Sequence, residues 1–447
     1  MDEGLRAARK NLAVEIIGDL RSRGHQAYLV GGCVRDHLLG IEPKDYDVST
    51  DAPPHLLTSY FPGSELVGAL FGVILVKRGN GIQVEVATFR SEGLYGDGRH
   101  PSEVRFETDP ALDARRRDFT INGLMEDPVS QQILDFVDGR VDLTHRTIRA
   151  IGDPRRRFQE DHLRMLRAIR FAARLQFSIE PETLAAIREE AHCICRISAE
   201  RVRDELLRIL TEGGARRGFE LLDESGLLVH VLPEVKAFQG VQQPPEFHPE
   251  GDVWTHVLMM LEELHGSTPT LALGVLLHDV GKPSTFRMAD RIRFDSHAEV
   301  GARMAGEILS RLKVSSEDNE RVISLVANHM RFKDVQQMRL STLKRFLRLP
   351  HFNEHLELHR LDCWASNKRV DSYRYVEAKL AEIGQDELRP ARLLTGRDLI
   401  QAGYKPGPEF GRVLDAVETA QLEGEIDSRE QALALASAIL EPAVGSA

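Results

Sequence analysis

Residues 27–51 read AYLVGGCVRDHLLGIEPKDYDVSTD: an apolar run, a glycine pair at Gly31 and Gly32, a short helical stretch, then Asp45 and Asp47 two positions apart. Read as a strand, DYDVST turns successive side chains to opposite faces, which puts Asp45 and Asp47 on one face and Tyr46 on the other. Two carboxylates on one face offer hard oxygen ligands to a pair of divalent cations. Two Mg²⁺ ions about 3.5 to 4 Å apart would lower the pKa of an attacking hydroxyl and neutralise a departing pyrophosphate. Gly31 and Gly32, having no Cβ, let backbone N–H groups approach a triphosphate, and the start of the following helix adds positive potential. Arg35 brings further positive charge to the same place. An isolated D-x-D after a proline more often caps a turn; the order of strand, glycine pair, helix and acidic strand is what favours phosphoryl transfer. A dinucleotide fold is excluded, because no G-x-G-x-x-G joins the first strand to the helix.

Outward from this stretch, residues 1–142 mix short β-rich runs (AYLV, GVILVK, IQVEVATF, QQILDFV) with turns and two helical stretches, as in a small α/β domain. From Thr147 onward apolar residues recur at three and four, as in HLRMLRAIRFAARLQF, so a helical body is expected over 143–240. FQGVQQPPEFHPEGD interrupts that periodicity near residue 240. A histidine-rich helical module over 241–366 and a helical tail over 367–447 follow. The fold class expected is therefore α+β: a palm with a mixed sheet, then helices.

The chain of 447 residues exceeds what one core serves. Four scattered cysteines (Cys33, Cys193, Cys195, Cys363) provide neither a disulfide framework nor a four-thiolate zinc site, and point to a reducing compartment; Cys193 and Cys195 read as buried thiols. The N-terminus lacks the basic-then-apolar pattern of a signal peptide and no long apolar run occurs, so no membrane association and a cytoplasmic location are expected. A formal charge of −11 argues against indiscriminate nucleic-acid binding, yet from Arg140 to Arg174 ten arginines stand against four acids, a local +6. Phosphate binding is expected to centre there.

GGCVRDHLLG followed by KDYDVST resembles the first motif of the class II tRNA nucleotidyltransferase and bacterial poly(A) polymerase family, which has a polymerase-β-like palm and a helical neck and body. The resemblance implies that Asp45 and Asp47 hold the catalytic Mg²⁺ ions; Glu85 in IQVEVATF is expected beside them on a neighbouring strand, or is a structural acid. RRRDFTINGL resembles the family's second motif, so Arg117, Asp118 and Asn122 would bind the sugar and phosphates of the incoming nucleotide. An acid and an amide four apart on a helix share a face and suit ribose hydroxyls. Asp135 and Gly139 in ILDFVDGRVDL match a D-x-x-x-G element thought to act as a hinge, although alone they would read as a hairpin turn.

FQEDHLRMLRAIRFAARLQF matches the family's E-D-x-x-R element, with Asp161 and Arg164 as the implied base readers. Three apart on a helix, they present an acceptor and a donor that resemble the Watson–Crick edge of a partner base. Cytosine and adenine both place an exocyclic amine beside an unprotonated ring nitrogen and fit this pair. Uracil and guanine leave unsatisfied groups at about 1 to 3 kcal/mol each. The plainer reading is an i, i+3 salt bridge on a solvated helix. Against it, Arg164, Arg167, Arg170 and Arg174 form a basic stripe without acidic neighbours in the sequence. The segment FRSEGLYGDGRHPSEVRFETD reads as a mobile loop, in the place where the family's loop takes part in switching from C to A addition. AERVRDELLRIL resembles the last shared helical motif, with structural roles implied for Glu200 and Arg203.

In the histidine-rich module His256, His278, Asp279 and Asp362, with His297 and His329, are the candidate metal ligands. Imidazole and carboxylate together suit an ion such as Mn²⁺, Ni²⁺ or Mg²⁺ whose bound water becomes a nucleophile near neutral pH. The spaced H…HD…D pattern followed by G-K-P resembles the HD phosphohydrolase superfamily and the HD-bearing branch of the nucleotidyltransferases. Together these resemblances imply template-free addition of CMP and AMP to the tRNA 3′ end from CTP and ATP, with a phosphohydrolase module acting on phosphomonoesters or 2′,3′-cyclic phosphates. A-only, CC-only or poly(A) addition, or an HD hydrolase whose palm only binds RNA, are the alternatives.

Overall fold

The apolar run and the acidic segment fold as neighbours: β1 (Ala27–Val30) pairs antiparallel with β2 (Asp47–Thr50), Val30 opposite Asp47. This computed structural model describes residues 3–67, 71–79, 81–93 and 103–440. Three further strands, β3 (Glu65–Leu66), β4 (Val73–Arg78) and β5 (Ile82–Thr88), precede a separate antiparallel ribbon of β6 (Arg90–Glu92) and β7 (Val104–Phe106). β8 (Met125–Glu126) and β9 (Ile133–Leu134) complete a seven-stranded sheet of order β3-β4-β5-β2-β1-β8-β9. Only β2 and β5 run parallel within it, so the sheet is mixed, as expected. Along β5, Val84, Val86 and Thr88 are buried while Gln83 and Glu85 are exposed, the two-residue alternation of a sheet with one covered face. The helix Glu3–Ser22 supplies cover, burying Leu12, Ala13, Ile16, Ile17 and Leu20 at helical spacing.

The residues divide into two units, Met1–Ala237 with Leu264–Pro269 and Arg311–Val314, and Phe238–Glu263 with Thr270–Ser310 and Ser315–Ala447. In the first unit, two helices begin where Asp precedes Pro. Asp109 accepts the N–H of Ala111 and Asp153 that of Arg155, while Pro110 and Pro154 occupy positions whose N–H a helix leaves unused. The central helix, Leu163–Leu175, is buried almost all round and packs on Ala199–Thr211 and Ala215–Glu224. In the second unit the helices Val253–Glu262, Pro269–Leu277, His297–Arg311, Ser316–Asn328 and Phe352–Ala365 surround the histidines. The tail has its own small core of Leu394, Leu399, Val413, Val417, Ala432 and Ala436.

Several local expectations are corrected. The strand begins at Asp47, not Asp45; Asp45 lies in the exposed segment after Pro43. Asp118 and Asn122 are not on a helix, since Pro110–Arg115 ends before them and Thr120–Asn122 is a separate 3₁₀ turn. Asp161 stands in extended conformation at a break between helices Pro154–Glu160 and Leu163–Leu175, where its side chain accepts the N–H of Leu163 at 3.0 Å. A short polar acceptor there competes with the helical ladder and starts a new first turn. The glycine-rich segment 89–109 pairs at its flanks as β6 and β7; its residues 94–102 lie outside those described. A hairpin, Phe286–Met288 with Ile292–Phe294, interrupts the otherwise helical second unit. Cys193 is buried but Cys195 is exposed, and all four cysteines are free.

Candidate functional site

A cleft of about 540 Å³ in the first unit is lined by Gly31, Gly32, Arg35, Asp47, Arg117, Asp118, Asn122, Asp161, Arg164, Arg167 and Arg170, eleven of the sequence-predicted residues. Gly31 has φ +72°, and a Cβ there would meet Arg117 Nη1 at 3.0 Å, so both the turn and the approach of the arginine require glycine. Asp47 and Glu85 are directly paired across parallel strands, so their side chains leave the same face. Burial first, and Glu85 and Asp45 in addition, push the Asp47 carboxyl up to about 6 despite Arg117. Crowded carboxylates of this kind are relieved by a divalent cation, and the donor set is all hard oxygen. Asp45 is 74% exposed in its side chain and forms an ion pair with Arg9 at 2.6 Å.

Buried charges in the cleft are cross-braced. Arg35 donates to Asp36 and to Asn122 Oδ1 at 2.6 Å, and burial lowers its pKa against the pull of Asp36. Asn122 donates to Asp118 Oδ1 at 3.0 Å, and Arg167 gives two hydrogen bonds, 2.8 and 2.6 Å, to Asp118 Oδ2. Burial opposes the charge on Asp118, but Arg167, Asn122 and Arg164 together outweigh it and hold the carboxyl well below the usual range. Arg117 is held by Asp113, which is fully buried, at 3.0 Å and lies 3.3 Å from Ser49 Oγ. Three guanidiniums, of Arg35, Arg167 and Arg170, lie 4.3 to 5.4 Å from the ring centroid of Phe171.

The arginine stripe is not free of acids, contrary to its sequence neighbourhood. Arg164 pairs with Glu160 at 2.6 Å, Arg170 with Glu205 at 2.6 Å and Arg174 with Asp36 at 3.1 Å. Most of these partners arrive from other elements, which spacing along one helix cannot reveal. Nor do Asp161 and Arg164 bond to each other's side chains: Asp161 takes both arms of Arg201, at 3.3 and 2.8 Å. Arg201, one residue from Glu200, is among the cleft residues that sequence reasoning missed, with Arg90, Glu92 and Arg116; Glu200 is exposed, and Arg203 pairs with Asp204. Asp135 accepts the N–H groups of Val137, Gly139 and Arg140, and a Cβ on Gly139 would meet Thr120 O at 2.3 Å. Close packing thus accounts for that glycine.

In the second unit His256, His278, His329 and His297 follow one another with ring centroids 5.3 to 5.5 Å apart. Nδ1 of His278, His297 and His329 meets the carbonyl of Val275, Phe294 and Val326 at 2.9, 2.9 and 2.6 Å. This turns each Nε2 inward, toward Asp279: His278 at 3.1 Å, His297 at 3.7 Å, His329 at 3.8 Å. His256 lies 3.2 Å from Asp362 through Nε2 and 2.7 Å from Glu250 through Nδ1; burial works against its charge, yet these two acids push it up to about 9. The buried Nε2 atoms of His256 and His278 make no aligned hydrogen bond, as expected of atoms grouped about a shared ion. His256, His278 and Asp279, and Asp279, His297 and His329, form two groups of metal-ligand geometry. His248, Glu250 and Lys282 join the cluster without having been singled out from the sequence, Lys282 reaching Asp279 at 2.7 Å and Gln243 at 2.6 Å. Two of these lie in the Pro/Gly stretch that reads as a mere connector. Among the described residues no helix is long and apolar enough to cross a membrane.

Comparison with known proteins places these sites in context. Residues 27–149 match the family model for the Poly A polymerase head domain, 176–239 that for the probable RNA and SrmB-binding site of polymerase A, and 253–357 that for the HD domain. A CCA-adding enzyme of Levilactobacillus brevis is 32% identical over 428 residues, 95% of this chain and 96% of the relative. Among solved structures, the Bacillus stearothermophilus CCA-adding enzyme in complex with CTP shares the fold at TM-score 0.72 and 24% identity, over 97% of each chain. The Thermotoga maritima CCA-adding enzyme complexed with tRNA matches at TM-score 0.58 and 21% identity, over 96% of this chain and 95% of that one. With nearly full-length similarity to a curated relative, a nucleotidyltransferase head, a helical body and an HD domain in the same order, the chain belongs to the family of CCA-adding enzymes.

Proposed function

We propose that this protein adds CMP and AMP to the 3′ end of tRNA from CTP and ATP, without a nucleic-acid template, in the cytoplasm. The observation that carries this reading is the pairing of Asp47 with Glu85 at one edge of the arginine-lined cleft that also contains Asp161. Asp45 and Asp47 hold Mg²⁺, with Asp45 exchanging its Arg9 partner for the ion. When bound, that ion activates the RNA 3′ hydroxyl and neutralises developing phosphate charge. Gly31 and Gly32 leave room for the triphosphate, Arg35 and Arg117 face its charge, and Asp118 with Asn122 receives the ribose. Arg201 orients Asp161, whose carboxylate with the Arg164 guanidinium reads the amine and ring nitrogen of cytosine or adenine. Arg167 and Arg170 set this frame through Asp118 and Glu205. The relatives solved with CTP and with tRNA are consistent with these partners.

The HD module, in the same reading, hydrolyses phosphoesters with a divalent ion such as Mn²⁺, Ni²⁺ or Mg²⁺ held by His256, His278, Asp279 and Asp362, with His297 and His329 at its side. The first test incubates tRNA transcripts that end before the CCA, after one C and after two C with single labelled nucleotides and Mg²⁺. Stepwise C, C, A with arrest after one A is expected; addition of A alone, C alone or long A tracts would assign a different member of the family. Hydrolysis of 2′,3′-cAMP with each metal tests the second activity, and its absence with every metal would leave the module structural.

A further inference from the structure

Beside the turn that carries Asp161 lies a third set of metal-type donors, separate from both sites above. His162, Glu190 and Cys193 each present a ligand atom, and these atoms lie within 4.8 Å of one another. They come from the turn between two helices, the last residue of the helix Pro181–Glu190 and the 3₁₀ turn Ala191–Arg196. The neighbouring His192 is exposed and stands outside this group, its Nε2 3.3 Å from Cys193 Sγ. Two ligands on one tetrahedral zinc, at about 2.3 Å for sulfur and 2.0 Å for nitrogen, stand roughly 3.5 Å apart. An independent observation points to a ligand here. His162 is only 3% exposed, and its buried Nδ1 has no hydrogen-bond partner among the described residues. Leaving such a nitrogen unpaired costs about 1 to 3 kcal/mol, which a bound cation would recover. Burial also lowers the pKa of this imidazole, in the direction of the neutral form that binds metal. Glu190 is oriented by Gln159, which donates to its Oε1 at 2.9 Å.

We propose that His162, Glu190 and Cys193 bind a thiophilic divalent cation of the zinc class. Binding releases the Cys193 thiol proton to solvent and ties the Asp161 turn to the Ala191–Arg196 turn. A nitrogen and oxygen donor set, such as the histidine cluster of the second unit, cannot give a metal–thiolate bond, so Co²⁺ distinguishes the two sites. Full-length protein, stripped with chelator and titrated with Co²⁺, is expected to develop a thiolate-to-cobalt charge-transfer band that saturates and is displaced by Zn²⁺. Cys193→Ser abolishes the band, His162→Gln weakens Co²⁺ affinity about ten-fold or more, and Cys195→Ser leaves the band in place. A wild-type titration without the band overturns the site whether or not the variants fold. So does a band that survives Cys193→Ser or that vanishes with Cys195→Ser.

Discussion

The cleft and the histidine cluster hold their charges in opposite ways. In the cleft, Asp118 is braced by Arg167 from 49 residues away, Asp161 by Arg201 from 40 and Arg170 by Glu205 from 35. In the cluster, three histidines are aimed by carbonyls three residues earlier in the same turn. Ion pairs assembled from distant segments can be exchanged for a substrate's phosphates, ribose or base. Imidazoles aimed by their own backbone keep their direction whatever binds, which suits a resident ion. One region is therefore built to trade partners, the other to keep geometry.

The largest effect expected follows from the carboxylates. On the proposed reading, in which they hold the catalytic ion, Asp47→Ala or Asp45→Ala should lower nucleotide addition by about a thousand-fold or more, the scale of several kcal/mol of transition-state charge stabilisation. Single-turnover addition of labelled CMP measures this. If the same variants keep 2′,3′-cAMP hydrolysis at wild-type rate, the two regions work independently. Addition that persists in the Asp45, Asp47 double variant would remove the metal reading of the cleft. Second in size, His278→Ala or Asp279→Ala should cost metal-dependent hydrolysis about a hundred-fold, while CMP addition stays within about two-fold. Equal loss of both activities would show the regions to be coupled after all.

Arg201→Met is the sharper probe of the cleft. Removing the fork leaves the half-buried Asp161 carboxylate held, among the described residues, only by the N–H of Leu163, a loss of about 1 to 3 kcal/mol at the group proposed to read the base. The ratio of CTP to UTP incorporation, as kcat/KM, should fall about ten-fold, with a smaller change for CTP alone. An unchanged ratio would mean that Arg201 packs against Asp161 without orienting it.

What the sequence disclosed divides along the same line. The glycine pair at the strand-to-helix turn, the acidic strand that starts at Asp47 and the His278-Asp279 pair were legible because each is written in a few consecutive residues. Arg201, which lines the cleft, and Glu205, which pairs with Arg170 there, lie on a helix whose periodicity says only which face is buried. Whether Arg174 points at water or at Asp36, 138 residues away, is decided by tertiary packing. Asp161 was misread as helical for a related reason: its side chain bonds Leu163 N and breaks a run whose apolar period carries straight through. Glu250 and His248 escaped notice inside a Pro/Gly stretch, where composition describes the backbone and says nothing of what the loop brings along.

The smallest effect separates ligand histidines from a histidine that merely packs. His355 is 2% exposed, its Nδ1 has no hydrogen-bond partner among the described residues, and Nε2 lies 3.4 Å from Ser324 Oγ. No carbonyl aims it, and burial above all lowers its pKa to about 4. A folded-state value of about 4 below an unfolded value of about 6.5 means that between these pH values the unfolded chain binds the extra proton. Stability from this group is therefore complete above about pH 6.5, falls as pH drops through the window and stops falling below about pH 4. The ceiling is about 3 kcal/mol, so His355→Gln, which keeps a donor for the serine but does not titrate, should flatten the fall in Tm by a few degrees over that range. The difference between wild type and variant isolates His355 from other buried histidines such as His329, also held near 4. Parallel Tm-against-pH curves would place the His355 ring in contact with solvent or with a proton-accepting partner, and it would then belong with the aimed histidines of the cluster and not with the core.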